Sequence, residues 1–365
     1  MTILSIGKST YDITIPVDSY PTENSKMIVT EKLEGSGGSA SNISYLLGKW
    51  NEEAYFAGTV GYDDFGSSIK KELESVGVKT NYLETNYERK TTTAFIINNK
   101  STTSRTQILI EPEIFHLKKY EYDISPHIIY SDGFEYSATM AAVNKYKTVP
   151  LVLGMGLSYG DPKELLSLAK YAKYLVFSKE FAEKYTKMTI NTDDSTSLLN
   201  LYKELKVSFN EQNIIVTLGN AGVIYEQNGS VQYMPTIPVK EVDRTSAGDA
   251  FDGAFVYALS KGYDIEKCMR IANIAAGLST TKFGGKTSFP LLSDVISYYE
   301  NKFGPIESSV QTTTTSETNI EQNSNSASPD SLWSHGIIIH LLIYMARLLL
   351  RHIQLSKSLL MITFT

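Results

Sequence analysis

Asp243-Arg244-Thr245-Ser246-Ala247-Gly248-Asp249-Ala250-Phe251-Asp252-Gly253-Ala254-Phe255-Val256-Tyr257-Ala258-Leu259 runs from a short polar turn into a stretch of small and aromatic residues. The change of character at Ala247–Asp249 predicts a helix that opens there. At such an opening the first backbone N–H groups have no partner within the helix. Together with the helix dipole they make a site for an anion, such as a phosphoryl group in transfer. A carboxylate in the same turn, Asp249, can take the proton from a hydroxyl as its oxygen attacks. The same residue types also suit a plain helix cap, in which Asp249 does no more than satisfy backbone N–H groups.

Outward from this helix, short β-branched runs alternate with longer periodic stretches from Met1 to about Phe303. That alternation predicts one α/β body of strand–helix units around a largely parallel sheet. Buried strands are expected at Thr2–Ile6, Ile128–Tyr130, Leu151–Gly154, Tyr174–Phe177 and Ile214–Thr217, each short, apolar and ended by a polar residue or glycine. A helix is expected over Pro162–Ala172, with Asp161 and Pro162 as its start signal. Tyr11–Leu33 and Thr91–Ile110 alternate without helical period and predict strands of a small separate sheet, a candidate lid, with a hairpin turn at Asn98, Asn99 and Lys100.

A second turn, Gly35-Ser-Gly-Gly-Ser-Ala-Ser-Asn42, precedes the helical run Ile43–Leu47. Its glycines allow backbone to approach a ligand closely, and Asn42 offers both a donor and an acceptor to sugar hydroxyls. No Gly-Lys-Ser/Thr follows, so it is not a P-loop, and it lacks the dinucleotide spacing. A tight connector without a ligand is the plain alternative. Arg105, in the candidate lid, either reaches a polar substrate across the cleft or is simply solvated.

The bulk figures limit the functional classes. The chain has 365 residues, 42% hydrophobic and 20% charged, with a formal net charge of −6. This is the balance of a globular protein, and it gives no electrostatic reason to expect nucleic acid as a partner. Cys268 is the only cysteine, so neither an intramolecular disulfide nor a cysteine-based zinc site can form. With no export signal at the start, a cytoplasmic location is expected. Residues 304–331 are Ser/Thr/Asn-rich and read as a disordered linker. Residues 332–365 are apolar but interrupted by His340, Arg347, Arg351, His352 and Lys357, and their role is open: contact with a membrane or a partner, or no selected structure. The histidines show no metal-ligand spacing.

The two turns, about 200 residues apart in this order, together resemble the two signature motifs of the PfkB (ribokinase-like) carbohydrate kinase family. The resemblance extends to Gly61-Tyr-Asp63-Asp-Phe-Gly66, to Thr217-Leu-Gly219-Asn-Ala-Gly222, and to Ala272-Asn273 leading into Thr281-Lys-Phe-Gly284-Gly-Lys-Thr-Ser288. It implies a three-layer α/β/α sandwich with a small β-sheet lid, over residues 1–303. It implies ATP-dependent transfer of a γ-phosphate to a sugar hydroxyl, with Mg2+ arriving on ATP and K+ as a further activator. By resemblance Asp249 is the base and the three amides of Ala247, Gly248 and Asp249 form the anion hole, with Ser246 opening the turn. Asp12, Gly37, Gly38 and Asn42 contact the sugar, with Arg105 reaching across. Thr217, Gly219 and Gly222 contact the nucleotide phosphates and ribose, with Asn273 near the adenine. Asp243, Thr245, Gly284 and Ser288 match a monovalent-cation site.

Two departures stand out. Ser246 replaces the first glycine of the family's Gly-Ala-Gly-Asp turn. The family's Asn-x-x-Glu motif, which organises magnesium, becomes Ser178-Lys-Glu180-Phe, with Glu180 displaced from the usual place. The rival readings are a nucleoside kinase on the same fold and a non-catalytic relative that binds or regulates. A homodimer through the lid is a further expectation.

Overall fold

The short apolar runs form strands because β-branched residues suit an extended, two-sided surface, and glycine or polar residues end each one. The computed structural model describes residues 1–306 apart from 112 and 157–160. The expected linker beyond residue 306 and the tail at 332–365 therefore lie outside the described residues. The strands are β1 (Thr2–Ile6), β2 (Thr10–Val17), β3 (Leu33–Gly37), β4 (Glu53–Gly61), β5 (Lys79–Asn86), β6 (Thr93–Asn99), β7 (Ser104–Ile110), β8 (Ile128–Ser131), β9 (Leu151–Met155), β10 (Tyr174–Ser178), β11 (Asn213–Thr217), β12 (Val223–Gln227) and β13 (Ser230–Met234). The helices are α1 (Ser39–Lys49), α2 (Asp64–Ser75), α3 (Tyr136–Lys145), α4 (Pro162–Ala169), α5 (Lys179–Thr186), α6 (Ser195–Ser208), α7 (Ala247–Ser260), α8 (Ile265–Ser279) and α9 (Leu292–Phe303).

The large sheet has the order β13-β12-β11-β10-β9-β8-β1-β4-β5. Its neighbours run parallel from β11 through β5, and β12 and β13 add an antiparallel edge. All five strands expected from the sequence lie in it, each to within one residue. Successive residues of a strand point to opposite faces. Thus Ile3, Val152 and Ile215 pack with Leu46, Phe255 and Ile271 on one side, and Leu4, Leu153 and Val216 pack with Leu165, Leu201 and Leu205 on the other. Helices therefore cover both faces, which makes three layers. Burying a side chain such as Phe255 or Leu46 contributes about 1.5–3 kcal/mol each.

A second sheet of four strands has the order β3-β2-β6-β7. It uses only part of the stretch expected to be strand: β2 ends at Val17, β3 begins at Leu33, and the mostly exposed residues between them join no ladder. The hairpin turn is also displaced. Asn98 and Asn99 stay in the ladder opposite Arg105 and Ser104. The turn follows them, with Thr103 at φ 55° and Asn99 Oδ1 accepting from Ser101 N at 3.0 Å. Helix α4 stops at Ala169, short of the expected Ala172, because Tyr171 N and Ala172 N bond back to Leu168 O and Ala169 O in a tighter turn. The Gly61–Gly66 motif has a structural explanation. Asp63 accepts from Gly66 N at 2.9 Å, capping α2, and from Thr91 N at 2.9 Å, which fixes the chain as it enters the small sheet.

Candidate active site

In a parallel sheet the C-terminal strand ends form a natural crevice. Here a cleft of about 730 Å³ runs along them. Its floor is Thr217 at the end of β11, Ser178 at the end of β10, Gly154 of β9, Tyr130 of β8 and Lys8 just beyond β1. Thr10 and Asp12 of β2, Ile96 of β6, and Arg105 and Gln107 of β7 line it from the small sheet.

The start of α7 opens into this cleft. Ser246 precedes the helix in the left-handed region, at φ 59° and ψ 16°, where a residue with a Cβ is strained by about 1–2 kcal/mol. Ala250 N bonds to Ser246 O at 2.9 Å and Ala247 N to Arg244 O at 3.3 Å. Among the described residues, Gly248 N and Asp249 N have no acceptor, so two open amides remain where three were expected. Asn42 Nδ2 donates to Asp249 Oδ2 at 2.7 Å and to Ser246 Oγ at 3.2 Å. The two glycine-bearing turns, with Asn42 and Asp249 207 residues apart along the chain, thus meet through the Asn42 side chain. Asn42 Oδ1 is buried without a partner, an acceptor available to a hydroxyl. Burial pushes the Asp249 carboxyl above the usual carboxylate range, while hydrogen bonds from Asn42 and Ser39 and the charge of Arg105 pull it back.

Asp12 lies within β2, paired with Gly35 on one side and Ala94 on the other. Thr10 Oγ1 donates to its Oδ1 at 2.6 Å. Burial pushes the Asp12 carboxyl up to about 6, against the hydrogen bond from Thr10 and the charge of Lys286. Gly37 gives it room, since a Cβ there would sit 2.1 Å from Asp12 Oδ2. Gly38, at φ 88°, holds the backbone against Lys8 O, where a Cβ would come within 2.4 Å.

At the other end, Thr217 and Glu180 line the cleft, and Glu180 lies in the first turn of α5. Gly219 begins a short 3-10 turn after β11, and Gly222, at φ 111°, ends it against Met234 O. Neither glycine lines the cleft. Nor does Asn273, whose Nδ2 donates to Pro235 O at 2.6 Å. Among the described residues no three His, Cys, Asp or Glu side chains gather to hold a metal ion. A magnesium ion carried by nucleotide phosphates needs few protein ligands, and Glu180 is a carboxylate that lines the cleft.

Beside the α7 turn, Asp243 is 1% exposed. Its carboxylate accepts from Asn98 Nδ2 at 2.7 Å, Thr245 N at 2.9 Å and Gly284 N at 3.0 Å. No ion pair reaches it among the described residues. Thr245 Oγ1 and Asn98 Oδ1 are buried without partners. A buried carboxylate with orphaned oxygens nearby fits a monovalent cation. Ser288 Oγ lies against both Ser279 O and Gly285 O, which share its one proton.

Sequence reasoning missed several groups in and around the cleft. Asp252, one helical turn beyond Asp249, accepts from Tyr130 Oη at 3.1 Å, and burial pushes it well above its usual range; its i+3 spacing was the available signal. Asp132 accepts from Lys8 N at 3.0 Å and Phe134 N at 3.0 Å, and burial raises its carboxyl to about 6. Lys286, 4% exposed, pairs with Glu72 at 2.8 Å and donates to Ser36 Oγ next to Asp12. Burial lowers its amine to about 8. No local pattern announces Lys286, whose partners come from α2 and β3.

Known proteins share the sequence pattern and the fold. The family described as "pfkB family carbohydrate kinase" matches residues 2–292. The ribokinase of Bacillus subtilis (strain 168) is 26% identical over 310 residues, which cover 80% of this chain and 97% of the relative. The nucleoside kinase of Methanocaldococcus jannaschii is 24% identical over 310 residues, covering 82% and 96%. Among solved structures, the Arabidopsis thaliana ribokinase complexed with ribose and ATP superposes with a TM-score of 0.66 at 22% identity, covering 81% of this chain and 97% of that one. The fold is thus ribokinase-like, and the relatives are phosphotransferases that act on hydroxyl groups. With the family matched over most of its length, this chain belongs to the pfkB family of carbohydrate kinases.

Proposed function

We propose that the protein transfers the γ-phosphoryl group of ATP to a hydroxyl of a free sugar, with Asp249 as the general base. The observation that carries this reading is the 2.7 Å contact between Asn42 and Asp249. It unites a hydroxyl-binding turn and an anion-binding helix start in one pocket. The acceptor lies between Asp12, Asn42 and Asp249, and Asn42 Oδ1 takes a hydrogen bond from it. Asp249 accepts the proton of the attacking hydroxyl, while the amides of Gly248 and Asp249 face the negative charge that develops on the transferred group. The γ-phosphoryl approaches from the end marked by Thr217 and Glu180, where magnesium bound to ATP supplies further charge neutralisation. The small sheet acts as a lid that keeps water from the donor. A monovalent cation at Asp243 and Thr245 raises activity by stabilising the turn before α7.

Ribokinases and a nucleoside kinase are both among the relatives, so the deciding experiment is an assay of pentoses, hexoses, sugar acids and nucleosides with Mg-ATP, with and without K+. At least one monosaccharide should turn over, and Asp249→Asn should lower kcat by about 10²–10⁴-fold. A variant that keeps the wild-type rate would remove Asp249 from the chemistry.

A further inference from the structure

Where the acceptor pocket ends bears on which acceptors fit, and it builds on the sugar reading above. In strand order the cleft floor runs from β11 through β10, β9 and β8 to β1. Thr217 and Lys8 are therefore four inter-strand steps apart, about 19 Å at roughly 4.8 Å per step. Asp249 stands between them, because its neighbour on the same helix face, Asp252, bonds to Tyr130 of β8. With the phosphoryl donor on the β11 side, any substituent on the far side of the acceptor ring must point toward Lys8.

At that end Lys8, Asp132 and Phe134 line the cleft. Lys8 Nζ sits 2.5 Å from Glu111 Oε1, and the side chains are 5% and 15% exposed. The ammonium also lies 4.5 Å from the centre of the Phe134 ring. Glu111 comes directly after β7, so the pair ties the loop beyond β1 to the end of the small sheet. Asp132 holds both other members in place, accepting from the backbone N–H of Lys8 and from that of Phe134. Behind Phe134 stands His116, with ring centres 4.9 Å apart, itself 3.4 Å from Glu135. Lys8 does not act as a receptor for an anionic substituent: Glu111, Asp132 and Glu135 all bear on its charge. What this cluster offers a ligand is a wall.

We infer that the Lys8–Glu111 ion pair, packed on Phe134, is the end wall of the acceptor pocket and limits the acceptor to a free monosaccharide, excluding nucleosides, whose base would need the space it fills. The test is calorimetric binding to the full chain without ATP, so that turnover plays no part. The ligands are adenosine and the monosaccharide that the wild type phosphorylates best in the panel. Wild type should bind adenosine at least tenfold more weakly than that sugar. Lys8→Ala should shift the adenosine-to-sugar affinity ratio at least tenfold toward adenosine, whereas Lys8→Met, which refills the space, should shift it less than threefold. Because removing one member of a buried ion pair threatens the fold, Phe134→Ala serves as a second opening of the wall, read by the same ratio, with folding checked by circular dichroism. An unchanged ratio in both opened variants, with the sugar still bound, overturns the wall alone. Adenosine binding as tight as sugar binding in the wild type overturns it too. A panel in which no monosaccharide is phosphorylated overturns the sugar reading and the wall with it.

Discussion

Asp12 reaches the pocket from the small sheet and Asp249 from α7; Asp12 feels the charge of Asp249, and burial raises both. A carboxyl raised to about 6 is an anion only above that pH, so its full capacity to accept from hydroxyls is present above pH 6 and lost below it. The value of kcat/KM for the acceptor should therefore fall as pH drops through about 6. In Asp12→Asn, which is neutral at every pH, that limb should vanish and leave only the limb set by Asp249. A pH profile of the two proteins checks this. The sequence displayed Asp249, Asn42 and the glycines because each sits in a short turn with a recognisable composition. It did not display Lys8, Asp132 or Lys286, because a buried charge acquires its meaning from partners far along the chain.

A buried contact fastens the small sheet to the turn before α7. Asn98, in the ladder of β6, donates from Nδ2 to Asp243 in the turn before α7, and it is fully buried. Tyr11 stacks on Phe65 of α2 at 4.2 Å as a second attachment. Asn98→Ala should remove one donor from a buried carboxylate and lower stability by about 1–3 kcal/mol, measured by denaturant unfolding. It should also raise KM for the acceptor, because Asp12 and Arg105 ride on the same sheet. Sequence reasoning placed Asn98 in the hairpin turn, since asparagine pairs favour turns in general. The contact with Asp243, made across 145 residues, instead keeps it in the strand. The five buried strands were legible for the opposite reason: a short apolar run bounded by polar residues has few other places to go.

At the scale of the molecule, the strand order turns a linear alternation into a cleft along the strand ends, from Thr217 at β11 to Lys8 beyond β1. The family match ends at residue 292 and the last described helix at Phe303. A chain ending at Ile306 should keep the wild-type kcat and melting temperature; loss of either would assign the remaining residues a part in the kinase body. The order of strands was not readable from the sequence, because alternation of elements is compatible with several windings of the sheet. One feature also bears on how such a pocket changes over generations. A Cβ at position 37 would fall 2.1 Å from the Asp12 carboxylate, so a mutation at 37 is harmful while 12 is aspartate in this conformation. Position 37 is then free to vary only once 12 has changed, and a library meant to retune this enzyme should randomise them as a pair.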